Sequence, residues 1–211
     1  FSEGVRLVRV RTAASRLPVL YSDPTRPHAL PVPDPVVSRA IRDELSAGRF
    51  DVVHAHNWIV NSALGPAAKA GVPLVMTLHD YSHVCATKRL MEHGRKRCPG
   101  PSPRRCLSCA SDHYGAVSGA ITLTGNAWSA RRRAKHVSDA AAVSSAVADA
   151  VAVPAGQWLH GARLEARVIP NFIPDEIILD EIPPIEPDAP LLFVGDLSPD
   201  KGVQTLLDAT H

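Results

Sequence analysis

Three groups of residues in this 211-residue chain have types and spacings that could do chemistry. The first stands where two short apolar runs end. His54, His56 and Asn57 close the run that begins at Phe50, and His79 and Asp80 close Val72–Leu78. A His-x-His pair with a further histidine and a carboxylate is a ligand set that a metal-dependent hydrolase could use. The second group is Cys85, Cys98, Cys106 and Cys109, all within 81–114 and ending in Cys-Leu-Ser-Cys. Two thiolates at Cys-x-x-C spacing can wrap one ion, and two more complete a tetrahedral Zn site. Free thiols or disulfides are the other states open to them, and His83, His93 and His113 lie near enough in sequence to replace a ligand. The third group is Leu191–Val203, a strand-like run, a turn at Gly195 and a helix start carrying Lys201. Backbone N–H groups at a helix start are electropositive, so a turn of this kind lets them and a lysine approach phosphates.

The elements that would position these groups follow from periodicity. Val5–Arg11 reads as a short strand, and a Pro-rich connection runs on to Pro33. Asp34 then offers an N-cap and Pro35 suits the first helical position. Val36, Val37, Ala40, Ile41 and Leu45 recur at helical spacing up to a stop at Gly48. Phe50–His56, Val72–Leu78, Ala140–Val143 and Arg167–Ile169 read as strands, separated by helical stretches over Ser62–Ala70 and up to about Val137, with another from Ser144. Strands of nearly uniform apolar character alternating with helices imply an α/β fold, a Rossmann-like parallel sheet with helices on both faces. Ligands of such sheets sit beyond the carboxyl ends of the strands, which gathers His54, His56, Asn57, His79 and Asp80 at one edge. Tyr81–Tyr114 breaks the rhythm as a long Cys- and Arg-rich insertion without periodicity of its own. These features divide the chain into a domain over 1–180 with its insertion at 81–114, a linker over 181–190 rich in Pro and acid, and the first β-α step of a second Rossmann-like domain over 191–211.

Composition narrows the classes. Hydrophobic residues make up 45% and charged residues 21%, as in ordinary soluble globular proteins. No run approaches the ~20 consecutive apolar residues of a membrane span. No basic stretch followed by an apolar run opens the chain, and a start at Phe1 fits a fragment or a processed chain. The net charge of +2 hides an asymmetry. Lys88–Lys135 is strongly basic, opposed only by Glu92 and Asp112, whereas Asp175–Asp188 is acidic. A basic middle can attract phosphates, nucleic acid or anionic headgroups, and can equally be a solvated face. Arg131, Arg132 and Arg133 are consecutive and fan around their helix, which favours a solvated helix over a membrane-surface one.

Five segments together resemble a known family. Asp51-Val52-Val53-His54-Ala55-His56, Thr77-Leu78-His79-Asp80-Tyr81, Ala142-Val143-Ser144-Ser145, Arg167-Val168-Ile169-Pro170-Asn171 and Leu191–Val203 resemble, in order and spacing, segments of family 4 glycosyltransferases. The resemblance spans roughly Asp34 to Thr210. It implies a GT-B fold, two Rossmann-like domains facing across a cleft, with these residues forming most of the acceptor-side domain and the start of the donor side. It also implies retaining transfer of a sugar from a nucleotide-sugar donor to a sugar or lipid-linked acceptor, in polysaccharide or glycolipid synthesis. His79 corresponds to the histidine at the transferred sugar, Lys201 to the lysine on the donor diphosphate, with Gly195 in the same turn; His54, His56, Asn57 and Asp80 would line the acceptor-side cleft. No cofactor is required for such transfer, and Zn would be structural.

Two departures accompany it. Asp196 stands where the family has an arginine, and a carboxylate repels a diphosphate. The Gly-rich loop of the first strand and the acidic donor motif are absent from these residues, so the chain alone is expected not to turn over. A cytoplasmic setting is implied, where disulfides are rare, with contact at the inner membrane face an option. The rival from another class is a non-catalytic zinc-stabilised module that binds nucleic acid or another anion through Arg95, Lys96, Arg97, Arg104 and Arg105. No aromatic residues interleave with those charges, so nucleic acid is not the expected partner.

Overall fold

A computed structural model describes residues 4–16, 29–152, 159, 161–175, 184, 189–195, 197 and 201–210. The chain forms two compact units, Phe1–Pro170 and Asn171–His211.

The first unit is built on a parallel sheet of β1 (Val53–His56), β2 (Leu74–Leu78), β5 (Asp139–Ala142) and β6 (Arg167–Val168), adjacent in that order and flanked by helices. Ala55, Leu74, Met76, Leu78, Ala140 and Ala142 are buried on one side of it, against Val60, Leu64, Val147 and Val151. Alternation then places His54, His56 and Thr77 on the opposite side, where both histidines are exposed.

Helix α1 (Pro35–Ala47) starts as its sequence predicts: Asp34 Oδ1 accepts hydrogen bonds from the Val36 and Val37 amides at 2.9 and 3.1 Å. Helix α2 (Val60–Ala70) contains Pro66, which has no N–H to donate back to Ser62. The Ser38 hydroxyl of α1 donates to the Ser62 carbonyl instead, at 2.9 Å, and the Ser62 hydroxyl accepts the Asp34 N–H at 2.9 Å. The proline thus becomes a docking point for α1. Helix α2 closes on Gly71, whose φ of 70° suits a left-handed cap.

The insertion is more regular than its sequence suggests. It contains a two-stranded hairpin, β3 (Met91–Glu92) with β4 (Lys96–Arg97), and a helix, α3 (Pro103–Tyr114). Helix α3 folds back on α4 (Ala116–His136) across Gly115, which holds φ of 84°. A Cβ on Gly119 would fall 2.5 Å from the Ala110 carbonyl, so this glycine allows the two backbones to approach. Periodicity was hidden because α3 is a mostly polar helix with only Ala110 fully buried.

Two strands expected from sequence are not formed. Among the described residues Val5–Arg11 makes no strand pairing, and Val5, Leu7 and Val8 are exposed; an ion pair from Arg6 to Glu44 ties it to α1. Leu191–Val194, in the second unit, likewise has no strand partner among the described residues and is exposed. β-branched content alone does not make a strand without a neighbouring ladder. The second unit does form α6 (Val203–Ala209), entered through Gly202 at φ of 74°. The acidic Pro-rich stretch 181–190 lies almost wholly outside the described residues.

The first unit is organised about a buried arginine. Arg133 of α4 is 1% exposed. It donates to Asn61 Oδ1 of α2 and Asn126 Oδ1, each at 3.0 Å, and its Nε donates to His83 Nδ1 at 3.2 Å. The His83 ring therefore carries its proton on Nε2, which donates to the Ala162 carbonyl at 2.6 Å. Burial first, and then the adjacent guanidinium, pushes the His83 pKa down to about 3, so the ring is neutral. Replacing Arg133 by Ala leaves two amide oxygens and a ring nitrogen without a donor. Urea unfolding of Arg133→Ala should show a loss of about 3 kcal/mol; a loss near zero would mean that the network carries no stability.

Candidate functional site

The polar edge gathers at the carboxyl ends of β1 and β2. The chain leaves β1 through Asn57, which takes a left-handed φ of 46°, a conformation asparagine tolerates better than most residues. This turn aims the Asn57 amide at the end of β2. Its oxygen accepts the His79 N–H at 2.9 Å, and its nitrogen donates to Asp80 at 3.4 Å. The other Asp80 oxygen accepts the Ser82 N–H at 2.8 Å. Asn57 therefore fixes the backbone at His79 and steadies its neighbour in one contact set.

The three histidines meet. His56 Nδ1 lies 2.8 Å from His79 Nε2, with the rings roughly stacked at 5.0 Å between centroids. The His54 and His56 ring centroids are 4.5 Å apart, and His54 Nε2 contacts the Thr77 hydroxyl at 2.8 Å. A 2.8 Å contact between two ring nitrogens needs one proton between them, so one ring donates and the other accepts. Partial burial, and then the charges of His54 and His79, lower the His56 pKa from its ordinary value. The arrangement offers an exposed hydrogen-bonding edge, and the lowered His56 pKa favours the uncharged form of that ring.

Two residues escaped sequence reading. Trp58 is buried and donates its indole N–H to the Ser82 carbonyl at 2.9 Å. Lys88 places its ammonium 4.2 Å from the Trp58 ring centroid, a cation–π contact. Burial lowers the Lys88 pKa while Asp80 works against that shift, which sets a cation beside the carboxylate of the same edge. In sequence Lys88 is one member of a basic run. It reaches the edge because the chain from Tyr81 turns back on itself, with the Tyr81 N–H donating to the Lys88 carbonyl at 3.3 Å. No sequence signal predicts that closure.

The remaining site residues lie elsewhere. Gly195 and Lys201 belong to the second unit, where Lys201 is exposed; Asp196 lies outside the described residues. The four cysteines are free thiols, each half-buried. Cys106 and Cys109 both sense Cys85 and Cys98, so the fold does bring the four into one neighbourhood. The Cys109 sulfur also accepts the His93 N–H at 3.2 Å, fastening the hairpin to α3. Among the described residues, however, no group of three or more His, Cys, Asp or Glu side chains is gathered as a metal site. The same finding leaves the hydrolase ligand set of His54, His56, His79 and Asp80 unassembled, because His56 and His79 turn their nitrogens on each other.

The family model of Glycosyltransferase Family 4 matches residues 4–176, a span that includes the whole sheet and the histidine edge. The chain belongs to glycosyltransferase family 4. No match was found among curated proteins or among solved structures. The parallel sheet flanked by helices is the Rossmann-like architecture expected of a GT-B domain in this family. Family 4 membership makes sugar transfer the general activity, with a sugar donor and an acceptor as partners. Among the described residues no helix of this family 4 chain is long and apolar enough to cross a membrane.

Histidine titrations followed by NMR should place the His56 midpoint below that of an ordinary histidine, and His54→Ala should raise it by removing one repelling neighbour. An unmoved midpoint would mean that the rings do not sense one another. For the thiols, burial chiefly, with the other three sulfurs adding, pushes Cys106 up to about 11. Timed alkylation near neutral pH with mass-spectrometric mapping should therefore find Cys106 slower to react than Cys85 or Cys98; a Cys106 that reacts first would contradict its burial.

Proposed function

We propose that this family 4 chain supplies the acceptor side of an enzyme that moves a sugar, with retention, from a nucleotide-sugar donor to a sugar or lipid-linked acceptor in polysaccharide or glycolipid synthesis. The observation that supports this reading best is the fixing of His79. Its main-chain N–H is held by Asn57 at 2.9 Å and its ring by His56 at 2.8 Å. Such a ring has one nitrogen engaged and one edge open to solvent, the state needed to contact hydroxyls of a transferred sugar. His54, His56, Asn57 and Asp80 surround it as the acceptor-side lining, and Lys88 adds a positive charge to that lining. Lys201, with Gly195, takes the donor diphosphate in the second unit.

Binding is accordingly the informative readout. Imidazole resonances are followed while UDP-glucose, UDP-N-acetylglucosamine and GDP-mannose are added in turn. At least one of them should shift His79 and His56 together, and Asn57→Ala should abolish the shift by freeing the His79 backbone. Indifference of both rings to all three nucleotide-sugars would overturn the reading.

A further inference from the structure

The Cys-rich insertion folds around one residue of the turn that follows the histidine edge. Ala86 is buried with Ala110 of α3 and Leu123 of α4, and Cys106 and Tyr114 pack against them. The Tyr114 hydroxyl also donates to the Ala86 carbonyl at 3.0 Å. Cys106, Ala110 and Tyr114 recur every four residues, so they share one face of α3, and this face meets the turn. Cys85 directly precedes Ala86 and is delivered to the same place. Cys109, three residues after Cys106, stands beside that face on the hairpin side, where its sulfur accepts the His93 N–H.

A cavity of about 130 Å³ lies between the turn, the hairpin and α3. Cys109 and Thr87 both line it, and the Thr87 hydroxyl is 3.3 Å from the Cys85 sulfur. Arg89 lines it too, and its carboxylate, Asp112, is turned to His93 Nδ1 at 3.3 Å. Burial chiefly raises the pKa of both Cys106 and Cys109, and among the sulfurs Cys85 adds most to each. Cys85 is thus the common neighbour of the two thiols in α3. All four cysteines are nonetheless free, and among the described residues no metal-ligand group is gathered. Half-buried thiols that sense one another, held neither by a metal nor by a disulfide, are suited to reversible oxidation.

We propose that Cys85 and Cys109 are a reversible disulfide-forming pair, oxidised by a peroxide that enters the cavity at Thr87 and reopened by a dithiol reductant. The peroxide converts one thiol to a sulfenic acid and leaves as water. The second thiol then attacks that sulfur, the S–S bond forms, and the sulfenic oxygen departs as a second water. Two thiols thereby lose two electrons and two protons to one peroxide. Arg89 favours the attacking thiolate, as a nearby guanidinium does. Cys106 is the poorer partner because it is committed to the apolar packing around Ala86, and Cys98 lines a different cavity beside Arg97 and Pro99. The bond has a consequence at the histidine edge. The Cys85 N–H donates to the Tyr81 carbonyl at 2.8 Å, and the Cys85 carbonyl accepts the Lys88 N–H at 3.1 Å. Tying Cys85 to α3 fixes the turn that sets Lys88 over Trp58, so the oxidation state of the insertion is felt at that edge. Mapping the bond requires no sugar ligand, so this proposal stands or falls independently of the sugar-transfer reading.

The test uses the full chain, reduced, desalted and exposed to hydrogen peroxide at low protein concentration, then alkylated, digested and mapped by mass spectrometry. The expected product is an intrachain cross-link between Cys85 and Cys109 that dithiothreitol removes. The Trp58 indole N–H, which donates to the Ser82 carbonyl, should shift in NMR spectra on oxidation and return on reduction. Cys85→Ser should abolish both the cross-link and the shift, whereas Cys106→Ser should keep both. The wild-type map needs no variant, so the test survives a variant that fails to fold. A link between Cys106 and Cys109, a link between two chains, or oxidation to sulfinic acid without any link would each overturn the pairing. Stoichiometric zinc held by the purified chain would also overturn it, since the four thiols would then form a metal cage.

Discussion

The buried guanidinium of Arg133 constrains more of this molecule than any apolar contact does. A cation removed from water is tolerable only when hydrogen-bond acceptors surround it, and here no carboxylate is among its hydrogen-bonding partners. The acceptors come instead from Asn61 in α2, Asn126 one face along α4, and the ring and carbonyl of His83. His83 reaches on to the Ala162 carbonyl, beyond the helix α5 (Ser145–Ala152). One side chain thereby joins four stretches of chain that lie far apart in sequence. The next residue back, Ser82, accepts the Trp58 indole and donates its N–H to Asp80. The base of the histidine edge is therefore tied through two residues to the arginine.

The same constraint explains the odd face pattern of α4. To seat Arg133 and its partners, the helix must turn Thr122, Asn126 and Ser129 inward. Leu123 is buried with them, while Val117, Ile121 and Trp128 are left on the outside. Burial of polar groups in a network fixes register and orientation at the expense of some apolar burial, and the exposed stripe is the consequence. Gly119 works toward the same end by letting α3 lie against α4 without side-chain volume between them.

Sequence reading located the sheet and the edge because both rest on local patterns. Uniform apolar runs ending in His54–Asn57 and His79–Asp80 become parallel strands with those residues at their carboxyl ends, as β1 and β2 show. The Asp34 cap was legible because its two acceptor contacts lie within three residues. What failed depends on partners distant in the chain. Val5–Arg11 and Leu191–Val194 have strand composition but no ladder among the described residues, and α3 is a helix with almost no buried stripe to reveal it. Lys88 was indistinguishable from its basic neighbours until the turn at Tyr81 set it over Trp58. The three consecutive arginines read as solvated, yet Arg133 is buried; a charged side chain whose acceptors come from residues 61, 83 and 126 leaves no local trace.

An exposed histidine cluster is a weak structure in water and a stronger one beneath a ligand. In the open edge, each ring hydrogen bond competes with solvent and contributes only about 0.5–1.5 kcal/mol net. A polyhydroxyl ligand laid over His54, His56 and His79 would exclude that solvent. The effective dielectric would fall, and the 2.8 Å contact between His56 and His79 would strengthen. Protonation would become less favourable in the same step, since burial and the neighbouring rings already lower the His56 pKa. Exclusion of solvent by such a ligand would thus favour the uncharged, hydrogen-bonding form of His56.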